Sequence, residues 1–244
     1  MGDDAWASRT PCSTWNIRLH RSTWNAAIVT DRTGRRVDSA EAMLDRGLAE
    51  LGLELRPELP QKLLALARLV CDWAPRVNLT GHRSLEDVLR WLVLDALALA
   101  PHLPAGDLLL DLGSGAGFPG LPLAILEPHR QIVLVDSRRR RHHFQRAAIR
   151  QLGLSNVQSR LGRSEDLCEP VFHVVVAQAL AAPKQSLALM FPWLRVGGWL
   201  VLASGPAGPG ALARLESLGP AQSRTYSIPT LGVQRSVWTA QRVS

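Results

Sequence analysis

The sequence predicts an α/β fold in which helices cover a mostly parallel, seven-stranded, Rossmann-like sheet. Short apolar segments alternate with helical stretches after residue 107, and a glycine-rich turn joins the first of these segments to the helix that follows it. The chain has 244 residues, 46% of them hydrophobic, which is enough to bury one α/β core. Alternation of this kind gives a sheet that is covered on both faces and binds ligands at the carboxyl ends of its strands.

All seven strands are expected in the second part of the chain, residues 104–244. Five apolar segments predict parallel strands, at residues 108–111, 131–136, 156–160, 172–177 and 198–203. The final segment, residues 222–243, carries Tyr226 and Trp238 among polar residues and predicts a closing β-hairpin.

A helical cap is predicted before the sheet, over residues 38–103. Apolar residues recur at helical spacing in residues 39–53 and 58–73. Pro57 and Pro75 are expected to stop these two helices, because proline removes a backbone donor and clashes with the preceding turn.

A third helix of the cap is expected to begin after Ser84. Asp87, three residues later, takes the acidic place of a capping box, and the apolar pattern then continues to Ala100. Residues 1–37 show neither a helical nor a strand period, and we expect them to form a disordered arm.

Charge and cysteine content narrow the class of protein. A net charge of +7 and a pI near 10.5 favour an anionic partner, either nucleic acid or a membrane surface, although the dominance of arginine over lysine also fits GC-rich coding. The longest apolar run, residues 91–100, is too short to span a bilayer, so no membrane association is expected. Three scattered cysteines predict neither a disulfide framework nor a metal site, and reduced cytoplasm is the expected location.

The stretch "LLLDLGSGAGFPGLPLAI", residues 108–125, predicts a nucleotide cofactor site. Gly113, Gly115 and Gly117 follow a strand and precede a helix, where the backbone can approach a ligand that a Cβ would exclude. Asp136 ends the next strand, nineteen positions after Gly117, where a carboxylate accepts hydrogen bonds from ribose hydroxyls. Both NAD and S-adenosylmethionine would satisfy this pattern.

Three features favour S-adenosylmethionine. Asp111 lies two residues before the first glycine, the form seen in methyltransferases, where the carboxylate helps to position the methionine end of the cofactor. Too little chain follows the sheet for the substrate domain of a dehydrogenase. Ser164 and Glu165, in "GRSEDL" after the third strand, lie where an adenine edge is expected. An NAD-dependent oxidoreductase is therefore the less favoured hypothesis.

Four segments carry a resemblance to a known family: "NLT" at residue 78, "LDALALAPHL" at residue 94, the glycine segment, and "VDSRRRRHHF" at residue 135. Together they resemble the bacterial GidB/RsmG family of 16S rRNA guanine-N7 methyltransferases. The resemblance implies a class I methyltransferase fold, S-adenosylmethionine as donor, and 16S rRNA or the small ribosomal subunit as partner of a monomeric enzyme. It places the cofactor against a set of five positions: Gly113, Phe118, Ser164, Glu165 and Gln178.

Guanine N7 has a lone pair and no proton, so this reaction needs no general base, and no catalytic residue is assigned. A run of four arginines follows Asp136 at the start of a predicted helix: Arg138, Arg139, Arg140 and Arg141. These cations oppose the helix dipole. They are interpreted either as a clamp for rRNA phosphates or as a solvated charge run.

The acceptor side of the sequence departs from the family pattern. Trp91 and Leu92 occupy the places of an arginine and a histidine, Gln178 that of an arginine, and Ser204 that of a frequent lysine. These changes keep a second hypothesis open, a non-catalytic relative that binds S-adenosylmethionine or rRNA.

Overall fold

The computed structural model of the chain describes residues 29–30, 36–37, 39–167, 171–204 and 217–244. Its main feature is a seven-stranded sheet with the strand order β5-β4-β3-β6-β7-β9-β8. These strands are β3 (Leu108–Leu112), β4 (Gln131–Asp136), β5 (Val157–Leu161), β6 (Phe172–Gln178), β7 (Leu194–Ser204), β8 (Gln222–Ile228) and β9 (Val233–Gln241). The first five are parallel to their neighbours, and the hairpin β8–β9 adds to β7 in antiparallel fashion. The predicted seven-stranded Rossmann-like sheet is confirmed.

Two further strands precede the cap. The strands β1 (Val29–Thr30) and β2 (Arg36–Val37) pair antiparallel. The rest of the predicted arm, in residues 1–37, lies outside the described residues, so the arm stays a prediction.

Helices of the cap precede the sheet, and those of the sheet domain connect its strands. The cap contains α1 (Ala40–Glu50), α2 (Glu58–Val77), α3 (Leu85–Val88) and α4 (Asp95–Leu99), with a π-helical segment Leu89–Leu94 and a 3-10 turn Ala100–His102. The sheet domain contains α5 (Gly120–Leu126), α6 (Arg139–Leu152), α7 (Ser164–Leu167) and α8 (Pro183–Met190), followed by a 3-10 turn Phe191–Trp193.

The end of α2 differs from the prediction, because Pro75 does not stop this helix. The helix continues to Val77, and Asn78 closes it in the left-handed region, with its N–H donating to the carbonyl of Ala74 at 3.2 Å. Pro75 lies in the last turn, so the missing N–H affects a single helical hydrogen bond and only two helical residues follow it.

The third helix of the cap begins as predicted. The hydroxyl of Ser84 accepts a hydrogen bond from the Asp87 N–H at 3.0 Å. Beyond this cap the helix is not uniform, since the π-helical segment separates α3 from α4. Short π-helical segments of this type often occur near functional sites in proteins.

Strand alternation divides the core into two layers, one on each face of the sheet. Leu109, Val174 and Val176 point to the face covered by the cap, α5 and α6, and belong to the larger core cluster. Leu110 and Val175 point to the other face, which α8 and Trp193 cover. The cap therefore shares its core with the sheet.

No helix in the described ranges combines the length and apolar character needed to cross a membrane.

Candidate functional site

A cavity of about 310 Å³ lies at the carboxyl ends of the parallel strands. It lies where the strand order reverses, because β4 is next to β3 on one side and β6 is next to β3 on the other. The glycine segment, the start of α6, the loop between β5 and α7, and the residues after β6 form its walls. Its lining residues are Leu112, Gly113, Val135, Asp136, Ser137, Arg138, Arg141, Gly162, Arg163, Ser164, Glu165, Ala179, Leu180 and Leu189. Four expected cofactor residues and two arginines of the basic run thus meet at one cavity.

The loop after β3, residues 113–117, owes its shape to glycines with positive φ. Gly113 has φ +73° and donates its N–H to the Val135 carbonyl at 2.8 Å. Gly115 has φ +58° and donates its N–H to Asp136 Oδ2 at 2.9 Å. Residues with a side chain rarely adopt these conformations, so glycine is required by the turn itself. The loop is therefore bonded to the end of β4.

Asp136 lies at the wall of the cavity and is only 4% exposed. Its Oδ1 accepts the N–H of Arg138 at 2.8 Å, and its Oδ2 accepts the N–H of Gly115 and the guanidinium of Arg141 at 3.3 Å. A carboxylate can accept about four hydrogen bonds, so this one is fixed in place and retains acceptor capacity on Oδ1.

Gly117 and Phe118 complete the loop without lining the cavity, within the part of the chain that the structure describes. The φ of Gly117 is +84°, and a Cβ there would lie 2.4 Å from the Leu121 side chain. Phe118 is buried in the core cluster on the cap side of the sheet. Both residues hold the loop against α5.

Asp111 lies beneath the first turn of α5 and is only 1% exposed. Its Oδ2 accepts the N–H of Gly120 at 2.8 Å, while its Oδ1 has no hydrogen-bond partner. Burial raises the pKa of Asp111 to about 7; the Gly120 N–H opposes this rise, and the charge of Asp136 adds to it.

Ser164 and Glu165 begin α7 at the cavity wall. The Ser164 hydroxyl donates to the Leu189 carbonyl at 2.8 Å and accepts from the Trp193 indole N–H at 2.8 Å. These contacts fix the loop after β5 against α8. Glu165 is exposed beside them.

The basic run divides into two pairs. Arg138 and Arg141 line the cavity, and the Arg141 guanidinium turns inward to Asp136. Arg139 and Arg140 are exposed at the start of α6. No acidic residue occurs in the first turn of this helix, so its positive end adds to the field of the arginines.

Gln145 was missed by the sequence analysis, although it lies directly behind the loop. It is fully buried, and its Nε2 donates to the Gly115 carbonyl at 2.8 Å and to the Ser114 hydroxyl at 2.9 Å. The sequence shows only a glutamine next to the apolar face of α6, which gives no sign of a partner thirty residues away.

Comparisons with known proteins identify the family. The family model "GidB: rRNA small subunit methyltransferase G" matches residues 59–216. The ribosomal RNA small subunit methyltransferase G of Chromohalobacter salexigens is 36% identical over 84% of this chain and 98% of that protein. The protein of the same name from Deinococcus radiodurans is 41% identical over 67% of each chain. The chain belongs to the rRNA small subunit methyltransferase G family.

Membership of this family confirms the resemblance and the methyltransferase class, and S-adenosylmethionine is the cofactor that the family requires. Neither the non-catalytic relative nor the NAD-dependent oxidoreductase is favoured by these matches. In the described ranges, no group of three or more histidine, cysteine, aspartate and glutamate side chains is arranged to hold a metal ion.

Solved structures confirm the class I methyltransferase fold. TYW2 of M. jannaschii, solved in complex with AdoMet, is similar with a TM-score of 0.50 and 17% identity, over 61% of this chain and 75% of that one. A predicted O-methyltransferase from Agrobacterium tumefaciens has a TM-score of 0.50 and 20% identity, over 61% of this chain and 81% of that one.

Gln178, another expected cofactor residue of this family member, bonds to the cap rather than to the glycine loop. Gln178 is not among the described residues that line the cavity; its Nε2 donates to Asp95 Oδ2 at 2.7 Å, on the cap face of the sheet. The same carboxylate accepts the Tyr226 hydroxyl at 2.9 Å and lies 3.4 Å from the guanidinium of Arg235. The structure therefore does not bring the Gln178 side chain to this cavity, because strand alternation turns it toward the cap, and its contact with the cofactor stays a prediction.

Arg235 also contacts Trp91, one of the positions that depart from the family pattern. Its guanidinium lies 5.9 Å from the Trp91 ring centroid, and that ring stacks on His82 at 5.9 Å. Burial raises the pKa of Asp95, and the charge of Arg235 opposes this rise. A cation from the hairpin β8–β9 therefore faces Asp95, beside the neutral Gln178.

We expect Asp111→Asn to change the pH dependence of stability. The folded pKa of about 7 lies above the ordinary value of 3.8, so between these values the native chain holds a proton that the unfolded chain has released. The contribution of Asp111 to stability therefore falls as the pH rises from about 4 to about 7, by up to about 4 kcal/mol. Urea unfolding of both proteins across this range measures the difference, in which the titrations that the substitution leaves unchanged cancel. A difference independent of pH contradicts the raised pKa.

Proposed function

We propose that this chain transfers a methyl group from S-adenosylmethionine to N7 of a guanine in 16S rRNA, with the cofactor in the cavity beside Asp136. The observation that carries the proposal is the fixed and buried Asp136 carboxylate, which meets the glycine loop at the carboxyl ends of β3 and β4 in a member of this family. A carboxylate at this place is suited to the two ribose hydroxyls of a nucleoside.

The cavity walls fit the remaining parts of the cofactor. Gly113 brings the loop backbone to the cavity, Ser164 and Glu165 lie at the end assigned to adenine, and Phe118 supports the loop from the core. Arg141 lines the cavity, so a carboxylate such as that of a methionine moiety has a cationic residue there. Asp111 acts indirectly, by fixing the first turn of α5.

The proposed reaction depends on positioning the two reactants rather than on proton transfer. When bound, the cofactor supplies an electrophilic methyl group on a sulfonium ion. Guanine N7 presents a lone pair without a proton, so the chain has to hold the two reactants in line and to exclude water. We assign no general base. The residues that orient the site are those that fix the loop and Asp136.

In this proposal, the exposed arginines at the start of α6 form the RNA-binding surface. Arg139 and Arg140 project from the positive end of α6, and Arg138 lies between them and the cavity. Phosphate groups bind readily where a helix N-terminus and guanidinium groups coincide. We propose that these three arginines hold rRNA phosphates while a guanine that is not stacked in a helix enters the cavity mouth. In this proposal the chain acts in the cytoplasm as a monomer, without a metal ion, on 16S rRNA or the small ribosomal subunit.

Mapping of 7-methylguanine in 16S rRNA tests the proposed activity. Cells that lack this gene are expected to lose one modified guanine, and the parent gene is expected to restore it. Asp136→Ala is expected to restore little of it, because the loss of a charged acceptor weakens cofactor binding by about 1–3 kcal/mol. Asp72→Ala, which removes an exposed carboxylate from the cap, serves as the control and should restore it fully. Identical 16S rRNA methylation with and without the gene would contradict the proposal.

Reversal of the two exposed charges tests the RNA surface separately. The double variant Arg139→Glu with Arg140→Glu should bind 16S rRNA more weakly and reduce the slope of log K against log salt by about one to two units, since fewer counterions are released. Its affinity for S-adenosylmethionine should stay at the parent value.

The control for this prediction reverses two arginines on the cap, so the net charge changes by the same amount. Arg56→Glu with Arg68→Glu alters two arginines whose side chains are 66% and 58% exposed. An equal reduction of the salt slope in both double variants would show that net charge, rather than the surface at α6, determines rRNA binding.

A further inference from the structure

A series of hydrogen bonds that runs from β5 through α6 fixes the glycine loop, residues 113–117. Ser159 lies on β5 and Gln145 on α6, and the Gln145 side chain reaches the Gly115 carbonyl. The Ser159 hydroxyl donates to Gln145 Oε1 at 2.6 Å, and His142 Nδ1 lies 2.7 Å from the same hydroxyl oxygen.

Only one assignment of donors and acceptors satisfies every hydrogen bond in this series. Gln145 Nε2 uses its two hydrogens on the Gly115 carbonyl and the Ser114 hydroxyl, and that hydroxyl donates onward to the Val135 carbonyl at 3.3 Å. Because the Ser159 hydrogen goes to Gln145, His142 must donate from Nδ1. Every polar atom of the Gln145 side chain therefore has a partner, as burial of an amide requires.

Both backbone polar groups of Gly115 are fixed as a result. Its N–H donates to Asp136 Oδ2 at 2.9 Å, and its carbonyl accepts from Gln145 at 2.8 Å. The residue has φ +58°, and a Cβ added there would have the Arg141 guanidinium as its nearest neighbour, at 3.7 Å. Packing around Gly115 itself is thus open, and hydrogen bonds fix its backbone groups.

We infer that Gln145 is a positioning residue for cofactor binding, because it orders the loop at Gly115 and through it the carboxylate of Asp136 before the cofactor enters. The inference rests on the proposed place of S-adenosylmethionine in this cavity. A site that is ordered in advance binds more tightly, since less conformational entropy is lost when the ligand enters.

His142 supports this arrangement without making it sensitive to pH. Burial lowers the pKa of His142, and the charges of Arg146 and His143 lower it further. Nδ1 carries a hydrogen in the required neutral tautomer and also in the imidazolium ion, so the bond to Ser159 persists in both forms.

The variant Gln145→Met tests the inference, since it preserves the length of the side chain and removes both donors and the acceptor. We expect the dissociation constant for S-adenosylmethionine to rise about tenfold or more in calorimetry. In the ligand-free protein, hydrogen exchange of amides in residues 112–118 should accelerate, while exchange in β6 stays at the parent rate. Ser159→Ala keeps both amide donors and should move both quantities in the same direction, with an affinity loss of about twofold to fivefold.

Gln151→Met is the matched control, because Gln151 is an exposed glutamine on the same helix. It should leave binding and exchange unchanged. Parent values for Gln145→Met would overturn the inference, and so would faster exchange spread evenly over the whole sheet, which would indicate a general loss of stability. Should Gln145→Met fail to fold, parent-like loop exchange in Ser159→Ala overturns the inference.

The proposed function and this inference fail in different ways. A parent protein that does not bind S-adenosylmethionine contradicts the proposed function. The exchange measurement on the ligand-free variants tests the role of Gln145 independently of that result.

Discussion

The hydrogen bonds at Gly115 are the constraint on which the site depends. The N–H of this residue is bonded to Asp136 at the end of β4, and its carbonyl is bonded to Gln145 on α6. The left-handed turn that joins β3 to α5 leaves backbone groups of Gly115 without partners in the sheet, and groups that are shielded from water need partners. The chain pairs them with side chains of the next strand and the next helix, and one of these side chains, that of Asp136, lines the cavity.

Local patterns in the sequence were sufficient for the fold and brought four of the expected cofactor residues, Gly113, Asp136, Ser164 and Glu165, to one cavity. Strand and helix periodicity after residue 107 predicted all seven strands of the sheet, and the positions of Gly113 and Asp136 at neighbouring strand ends predicted that they meet. Errors occurred where local rules compete. Pro75 was expected to end α2, but the helix continues for two residues beyond it, and Asn78 closes it in the left-handed region.

Contacts between distant segments were not predictable in this way. Tyr226 lies 131 residues from Asp95, and no local period links the hairpin to the cap. In the sequence, the neutral Gln178 therefore looked like the loss of a positive charge. In the structure, Gln178 donates to the Asp95 carboxylate, and Arg235 approaches that carboxylate from another strand. Gln145 was hidden for a similar reason, since its partners lie on a loop thirty residues earlier. Side-chain networks of this kind depend on tertiary structure, and sequence spacing alone does not reveal them.

Titration of the parent and of Gly115→Val with S-adenosylmethionine tests most directly whether the bonded loop forms the cofactor site. Gly153→Val is the matched control, because Gly153 closes α6 with φ +60°, close to the +58° of Gly115, and a Cβ there has no neighbour within 4 Å. Both variants introduce a similar backbone strain, on the order of 1–3 kcal/mol. The parent and Gly153→Val should bind the cofactor with equal affinity, whereas Gly115→Val should not bind it while its circular dichroism stays native. Equal affinity of all three proteins would contradict the account and would make the loop a structural turn rather than a binding site.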